Sequence, residues 1–146
     1  AMFNPSRQDA RQFFFDTWKK QKTQSPLSDL EEIVLNILRA HPEYHHILDQ
    51  PGLYYDKDWS IEGTENNPFL HLSLHLAIEE QRAIDQPRGI CLLYAELCTK
   101  YQNEHTAQHK VMEALAETIW YAQRYGSMLD TERYLSAIRH YISTSR

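Results

Sequence analysis

The chain has 146 residues, 42% of them hydrophobic and 24% charged, with 4 glycines and 6 prolines; this is globular composition, which argues against a disordered or low-complexity segment. A formal net charge of −5 argues against a nucleic-acid partner, because phosphate affinity comes from clustered Lys and Arg releasing counterions. Apolar runs are only a few residues long, far short of the roughly 20 needed to span a bilayer, so no membrane partner and a cytoplasmic location are the expectation.

The length fits one domain, which buries roughly two-thirds of the surface its unfolded chain exposes. Residues 2–146 are expected to form it, with Ala1 a remnant of expression and Met2 the natural start. Asn4-Pro5-Ser6 supplies helix-start residues before Phe13, Phe14, Thr17 and Trp18, so a first helix is expected over about 5–21. Lys19, Lys20 and Lys22 suit its C-terminal dipole. Ser25-Pro26 breaks the pattern. Ser28 with Glu31 then forms a capping-box signature ahead of Leu30, Ile33, Val34, Ile37 and Leu38, the apolar stripe of a second amphipathic helix. Pro42 disfavours helical geometry at His41, so the chain either kinks there or opens a new helix running to about Asp49.

From Gln50 to Asn66 no clean period appears, and the stretch reads as a lid or a packed loop pinned by Tyr54, Tyr55 and Trp59. Asn67 as N-cap and Pro68 as first helical residue open a helix that is apolar nearly all round through Phe69, Leu70, Leu72, Leu74, Leu76, Ala77 and Ile78, and so belongs in the interior. The turn Asp85–Gly89 ends it. Helix resumes from about Ile90 to Tyr101, then from about residue 104 to Tyr125 with Gly126 as the C′ residue, and finally from Asp130 or Thr131 through Tyr134, Leu135, Ile138, Tyr141 and Ile142. No hairpin signal or solenoid repeat is present. The fold class is therefore all-α, a single-domain bundle of five or six helices in which those near 30–49, 68–85 and 104–125 pack together. Cys91 and Cys98, seven residues apart, lie on one helical face about 10 Å apart along the axis, too far for a disulfide, and read as reduced core thiols.

Six of the histidines fall in three i, i+4 pairs: His41 and His45, His71 and His75, His105 and His109. Side chains four apart share a helical face at about 5 to 6 Å between Cβ atoms, close enough for two imidazoles to hold one ion. His105 and His109 share a stripe with Met112, Ala116 and Ile119, which reads as the buried face of its helix. His41 and His45 continue the stripe of Val34, Ile37, Leu38 and Leu48, and the helix bearing His71 and His75 is apolar on most sides. A lone buried His is usually satisfied by a carbonyl or carboxylate, but burying six imidazoles without partners costs roughly 1 to 3 kcal/mol each, which a metal converts into bonding. Glu79 and Glu113, at the edge of the His faces, are the carboxylates placed to join as ligands or acceptors. His46 and His140 fall off these stripes and read as surface residues.

The segments Met2-Phe-Asn-Pro-Ser-Arg7, His41-Pro-Glu-Tyr-His45, Asn67-Pro-Phe-Leu-His-Leu-Ser-Leu-His-Leu-Ala-Ile-Glu-Glu-Gln81 and His109-x-x-Met-Glu-x-Leu-Ala-Glu-x-Ile-Trp120 resemble the bacterial domain-of-unknown-function family 1841 over nearly the whole chain. The resemblance implies a compact bacterial protein of this size and carries no reaction with it. A looser likeness, to hemerythrin-type and DinB-type bundles, implies an architecture in which His and carboxylate pairs on facing helices hold one or two metal ions. The motif order differs, since this chain repeats His-x-x-x-His three times, so the likeness extends to architecture and not to oxygen carriage.

The leading expectation is a metal-binding helical protein, a metal-dependent hydrolase or oxidoreductase, with His71, His75, His105 and His109 as core ligands and His41, His45, Glu79 and Glu113 completing one or two sites. Imidazole and carboxylate donors suit iron, zinc, manganese or nickel. The alternative is a non-catalytic interaction or adaptor module whose histidines are structural or pH-sensing. A homo-oligomer is compatible with either, and the small-molecule substrate is unspecified. Gly-rich phosphate loops, G-x-S-x-G, H-E-x-x-H and CxxC are all missing from the sequence.

Overall fold

The computed structural model describes residues 8–59 and 67–144. The expected Asn4-Pro5-Ser6 helix start, the Met2–Arg7 segment and the 60–66 part of the long connection lie outside the described residues. Among those described, every regular element is helical: α1 (Gln8–Lys22), α2 (Asp29–Arg39), a 3-10 turn (Pro42–Tyr44), α3 (His45–Leu48), α4 (Pro51–Tyr54), α5 (Pro68–Ile84), α6 (Ile90–Tyr101), α7 (Glu104–Tyr125) and α8 (Thr131–Ser143). The all-α expectation holds. The expected count of five or six becomes eight α-helices among the described residues: at Pro42, where a kink or a new helix to about Asp49 is expected, the chain forms the 3-10 turn and then α3, and the connection after it contains a helical turn of its own. His41, at φ −125° and ψ 66°, leaves the helical region ahead of Pro42, as the ring of a following proline favours.

Contacts within the chain group it into two compact units, Ala1–Ala77 and Ile78–Arg146. In the first unit α1 packs on α2 and α3. Phe14, Phe15 and Trp18 of α1, Val34, Leu35, Ile37 and Leu38 of α2, Ile47 and Leu48 of α3, and Phe69, Leu72 and Leu76 of α5 form one buried cluster with Trp59. Phe69 sits among aromatic rings, 5.5 Å from Phe15 and 5.4 Å from Trp59 between centroids, separations at which edge-to-face pairing is favourable. The structural role expected for Trp59 is met: it is buried and lies against the Tyr54 ring. Arg11, itself only 2% exposed, holds the segment leading to Trp59 by donating from Nη1 to the carbonyls of Tyr55 at 3.2 Å and Lys57 at 2.7 Å.

Within the described residues the cap signals read from the sequence are present. Ser28 Oγ accepts from the Glu31 N–H at 3.2 Å and the Glu31 carboxylate accepts from the Ser28 N–H at 2.9 Å, so the capping box satisfies two of the donors that a helix start leaves unpaired. Lys20 Nζ adds a 2.7 Å ion pair to Glu31. Ser28→Ala is expected to lower stability by about 1 kcal/mol in urea denaturation. The hydrogen bond from Lys20 and then that from the Ser28 backbone hold the Glu31 carboxyl below the usual carboxylate range. A depressed folded-state pKa contributes stability above the unfolded value that is lost as pH falls through the folded one. Wild type should therefore exceed Glu31→Gln in urea midpoint at neutral pH, with the gap closing below about pH 4; a gap that persists unchanged in acid would contradict the pairing.

In the second unit α6, α7 and α8 pack on one another. Buried residues there include Ile90, Leu93, Tyr94 and Leu97 of α6, Val111 and Leu115 of α7, and Tyr134, Leu135 and Ile138 of α8. The Tyr134 hydroxyl donates to Gln81 of α5 at 2.6 Å. Asp85 accepts from the N–H of Gly89 at 3.3 Å and of Cys91 at 3.0 Å, capping the start of α6. Asn103 and Asp130 cap α7 and α8 in the same way. Gly126 ends α7 at φ 60°, a left-handed conformation that glycine adopts without a Cβ penalty. Cys91 departs from the core-thiol expectation: it is exposed, its Sγ donating to the Arg82 carbonyl at 3.1 Å. Desolvation is the first cause raising the pKa of both thiols, which keeps them protonated at neutral pH.

Candidate metal centre

The break after α2 positions the first imidazole. Because the backbone turns at His41, its ring folds back over the last turn of α2, and Nδ1 lies 2.7 Å from the Ile37 carbonyl oxygen. A carbonyl only accepts, so Nδ1 carries the proton and donates it. The His41 Nε2 is then an unprotonated acceptor with its lone pair free for a cation, the orientation that a second hydrogen bond fixes in metal-binding histidines.

That lone pair meets α5. The His71 Nε2 lies 3.2 Å from the His41 Nε2, and the His75 Nε2 lies 3.2 Å from the His71 Nε2. The nitrogens of His41, His71 and His75 are within 4.8 Å of one another, with the three rings set at steep angles of 61° to 75°. His71 and His75 sit one turn apart on α5, whose start is fixed by Asn67 Oδ1 accepting from the N–H groups of Phe69 at 3.0 Å and Leu70 at 3.2 Å. His41 and His75 are 3% and 4% exposed; His71 is half-buried.

Proton placement constrains this arrangement. A ring nitrogen presents either one N–H or one lone pair, never both. If the His71 Nε2 is protonated, its single hydrogen serves one of its two 3.2 Å neighbours well and the other poorly. If it is unprotonated, it faces the His41 lone pair with its own. One shared cation satisfies all three nitrogens together. Around an ion at about 2.0 to 2.1 Å, tetrahedral nitrogens stand about 3.3 Å apart, close to the 3.2 Å separations here.

Tyr44, on the 3-10 turn, borders this cluster. Its ring is stacked on His41 at 5.7 Å with only 4° between planes, and meets His71 edge-on at 5.9 Å. Burial, and then the neighbouring Glu43 charge, push its phenol pKa up. Sequence patterning did not select Tyr44. Its one available signal was its place three residues after His41, across a proline turn.

The other residues singled out from the sequence lie as follows. His45 turns away from His41: its Nε2 lies 2.8 Å from the Leu38 carbonyl oxygen, and its ring rests on Trp18 at 4.4 Å between centroids. Like the His41 Nδ1, its Nε2 is satisfied by a backbone carbonyl. In the second unit, His105 is exposed and His109 half-buried, their ring centroids 4.1 Å apart. The buried face of α7 is formed by Ala107, Val111, Ala114, Leu115 and Thr118 with Met112. The expected stripe through Ala116 and Ile119 is thus rotated, since Ala116 is exposed. Glu79 accepts from Arg82 at 2.9 Å and from Gln108 at 2.7 Å. Glu113, its side chain 58% exposed, lies 3.7 Å from Lys110. His46 and His140 are exposed, as expected.

The family model for the domain of unknown function DUF1841 matches residues 6–140, and the chain belongs to that family. No curated protein and no solved structure matches it. Among the described residues no helix is long and apolar enough to cross a membrane.

Proposed function

We propose that this member of the DUF1841 family is a metal-binding protein whose ion is held by His41, His71 and His75 through Nε2. The observation that carries the reading is the convergence of three imidazole nitrogens, with 3.2 Å contacts from the His71 Nε2 to those of His41 and His75, a spacing that one shared cation fits. The hydrogen bond from the His41 Nδ1 to the Ile37 carbonyl supports it by fixing the tautomer a ligand needs. An all-imidazole set favours zinc, iron or nickel; manganese prefers carboxylate and carbonyl oxygens. His105, His45, Glu79 and Glu113 stand outside the ligand set proposed here.

Three protein nitrogens leave coordination positions open on the ion. That is the requirement for metal-assisted hydrolysis or for redox chemistry at iron, and it makes a metal-dependent hydrolase or oxidoreductase the activity class proposed.

Elemental analysis of protein purified without an affinity-metal column tests the reading. Roughly one equivalent of a transition metal is expected, with chelated protein recovering its melting temperature when zinc, iron(II) or nickel is restored. Metal-free protein whose melting temperature none of these ions raises would overturn it.

A further inference from the structure

Resting on that metal reading, we infer that the ion completes its coordination with a small exogenous anion, bound on the side of the cluster bordered by Tyr44. Every donor in the proposed set is a neutral imidazole. Among the described residues, no carboxylate or thiolate joins the cluster of His41, His71 and His75. Glu79, the nearest carboxylate in sequence to His75, is engaged by Arg82 and Gln108. A divalent ion on such a set keeps its full charge, and His41 and His75, at 3% and 4% exposure, hold it where water compensates charge poorly. An uncompensated buried charge is expensive, whatever the number of neutral imidazoles around it. A hydroxide, azide or small carboxylate bound directly to the ion removes that cost.

The path and the size limit come from the same residues. His71 is the half-buried member, so the ion is reached from its side. There the Tyr44 ring, stacked on His41 and edge-on to His71, borders the approach. The ligand class is therefore compact and anionic, and a substrate of the site would enter through a carboxylate or comparable oxyanion.

Cobalt(II) reports both parts of the inference. Metal-free protein is loaded with cobalt(II), passed through gel filtration, assayed for retained metal, and titrated with sodium azide while its visible absorption is followed. Perchlorate at equal ionic strength serves as the weakly coordinating control. A saturable band change with azide and none with perchlorate is the expected result. In Tyr44→Ala the preference should move from azide toward benzoate, while cobalt retention stays as in wild type. Retained cobalt with no azide response would overturn the anion inference and leave the metal reading standing. Cobalt lost on the column would overturn both.

Discussion

His75→Ala protein is expected to emerge from purification with little metal and to melt at one temperature whether or not chelator is present. The wild type should behave otherwise. For a ligand present at about a thousand times its dissociation constant, binding to the folded state alone contributes about 4 kcal/mol, on the order of 10 °C in melting temperature for a chain of this length, and chelator removes it. His75 is 4% exposed and its Nε2 stands 3.2 Å from that of His71, so alanine removes a donor that water replaces poorly. Because that truncation also leaves a cavity, His71→Ala provides the second arm: its half-buried position limits the packing loss, while its nitrogen is the one shared by both contacts. Both variants should lose chelator sensitivity. A wild-type chelator response that survives intact in both would move the ion away from this cluster.

The second large effect is expected at Arg11. Its Nη1 donates to the carbonyls of Tyr55 and Lys57, and its guanidinium lies 5.3 Å from the Trp59 ring centroid and 4.9 Å from that of Phe69. Arg11→Met keeps much of the aliphatic stem and removes every donor, taking from the carbonyls of half-buried Tyr55 and exposed Lys57 hydrogen bonds to a charged group worth about 1.5 to 3 kcal/mol each before water replaces part of them, and losing the cation–π contribution. A loss of about 2 to 4 kcal/mol in urea denaturation is expected. Arg11→Lys should recover only part of it, because an ammonium lacks the planar fork that reaches two carbonyls while lying against two rings. A loss below about 0.5 kcal/mol for Arg11→Met would show that the segment ending at Trp59 is held by something else.

Local rules were legible in the sequence and third-dimension choices were not. Ser28, Asn67, Asn103 and Asp130 are short polar residues at helix starts, and each caps a helix, since capping depends on neighbours within one turn. The His71 and His75 pair converges because both lie one turn apart on a single continuous helix. His41 and His45 share the same spacing and part company, because Pro42 ends the helix between them and the spacing loses its meaning. On α7 an i, i+4 pattern could not choose between two overlapping stripes. Ala107 and Ala114 took the buried side, where small residues allow close helix packing, and His105 was left outside. The Glu79 carboxylate followed Arg82, three residues on along its own helix, as i, i+3 charge pairs do.

His41 and His71 are 30 residues apart, and an ion bound there would give the cluster a role in chain entropy distinct from any chemistry at the ion. An ion bonded to both closes a covalent-like ring of that length. In the unfolded ensemble such a ring forbids the conformations that hold its ends apart, a restriction worth about 3 to 4 kcal/mol for a cross-link of this span. The 3-10 turn, α3, α4 and the stretch to Trp59 all lie inside the ring. An occupied site would therefore act on them as a disulfide does in a secreted domain, by a bond that chelation opens and a reductant leaves untouched.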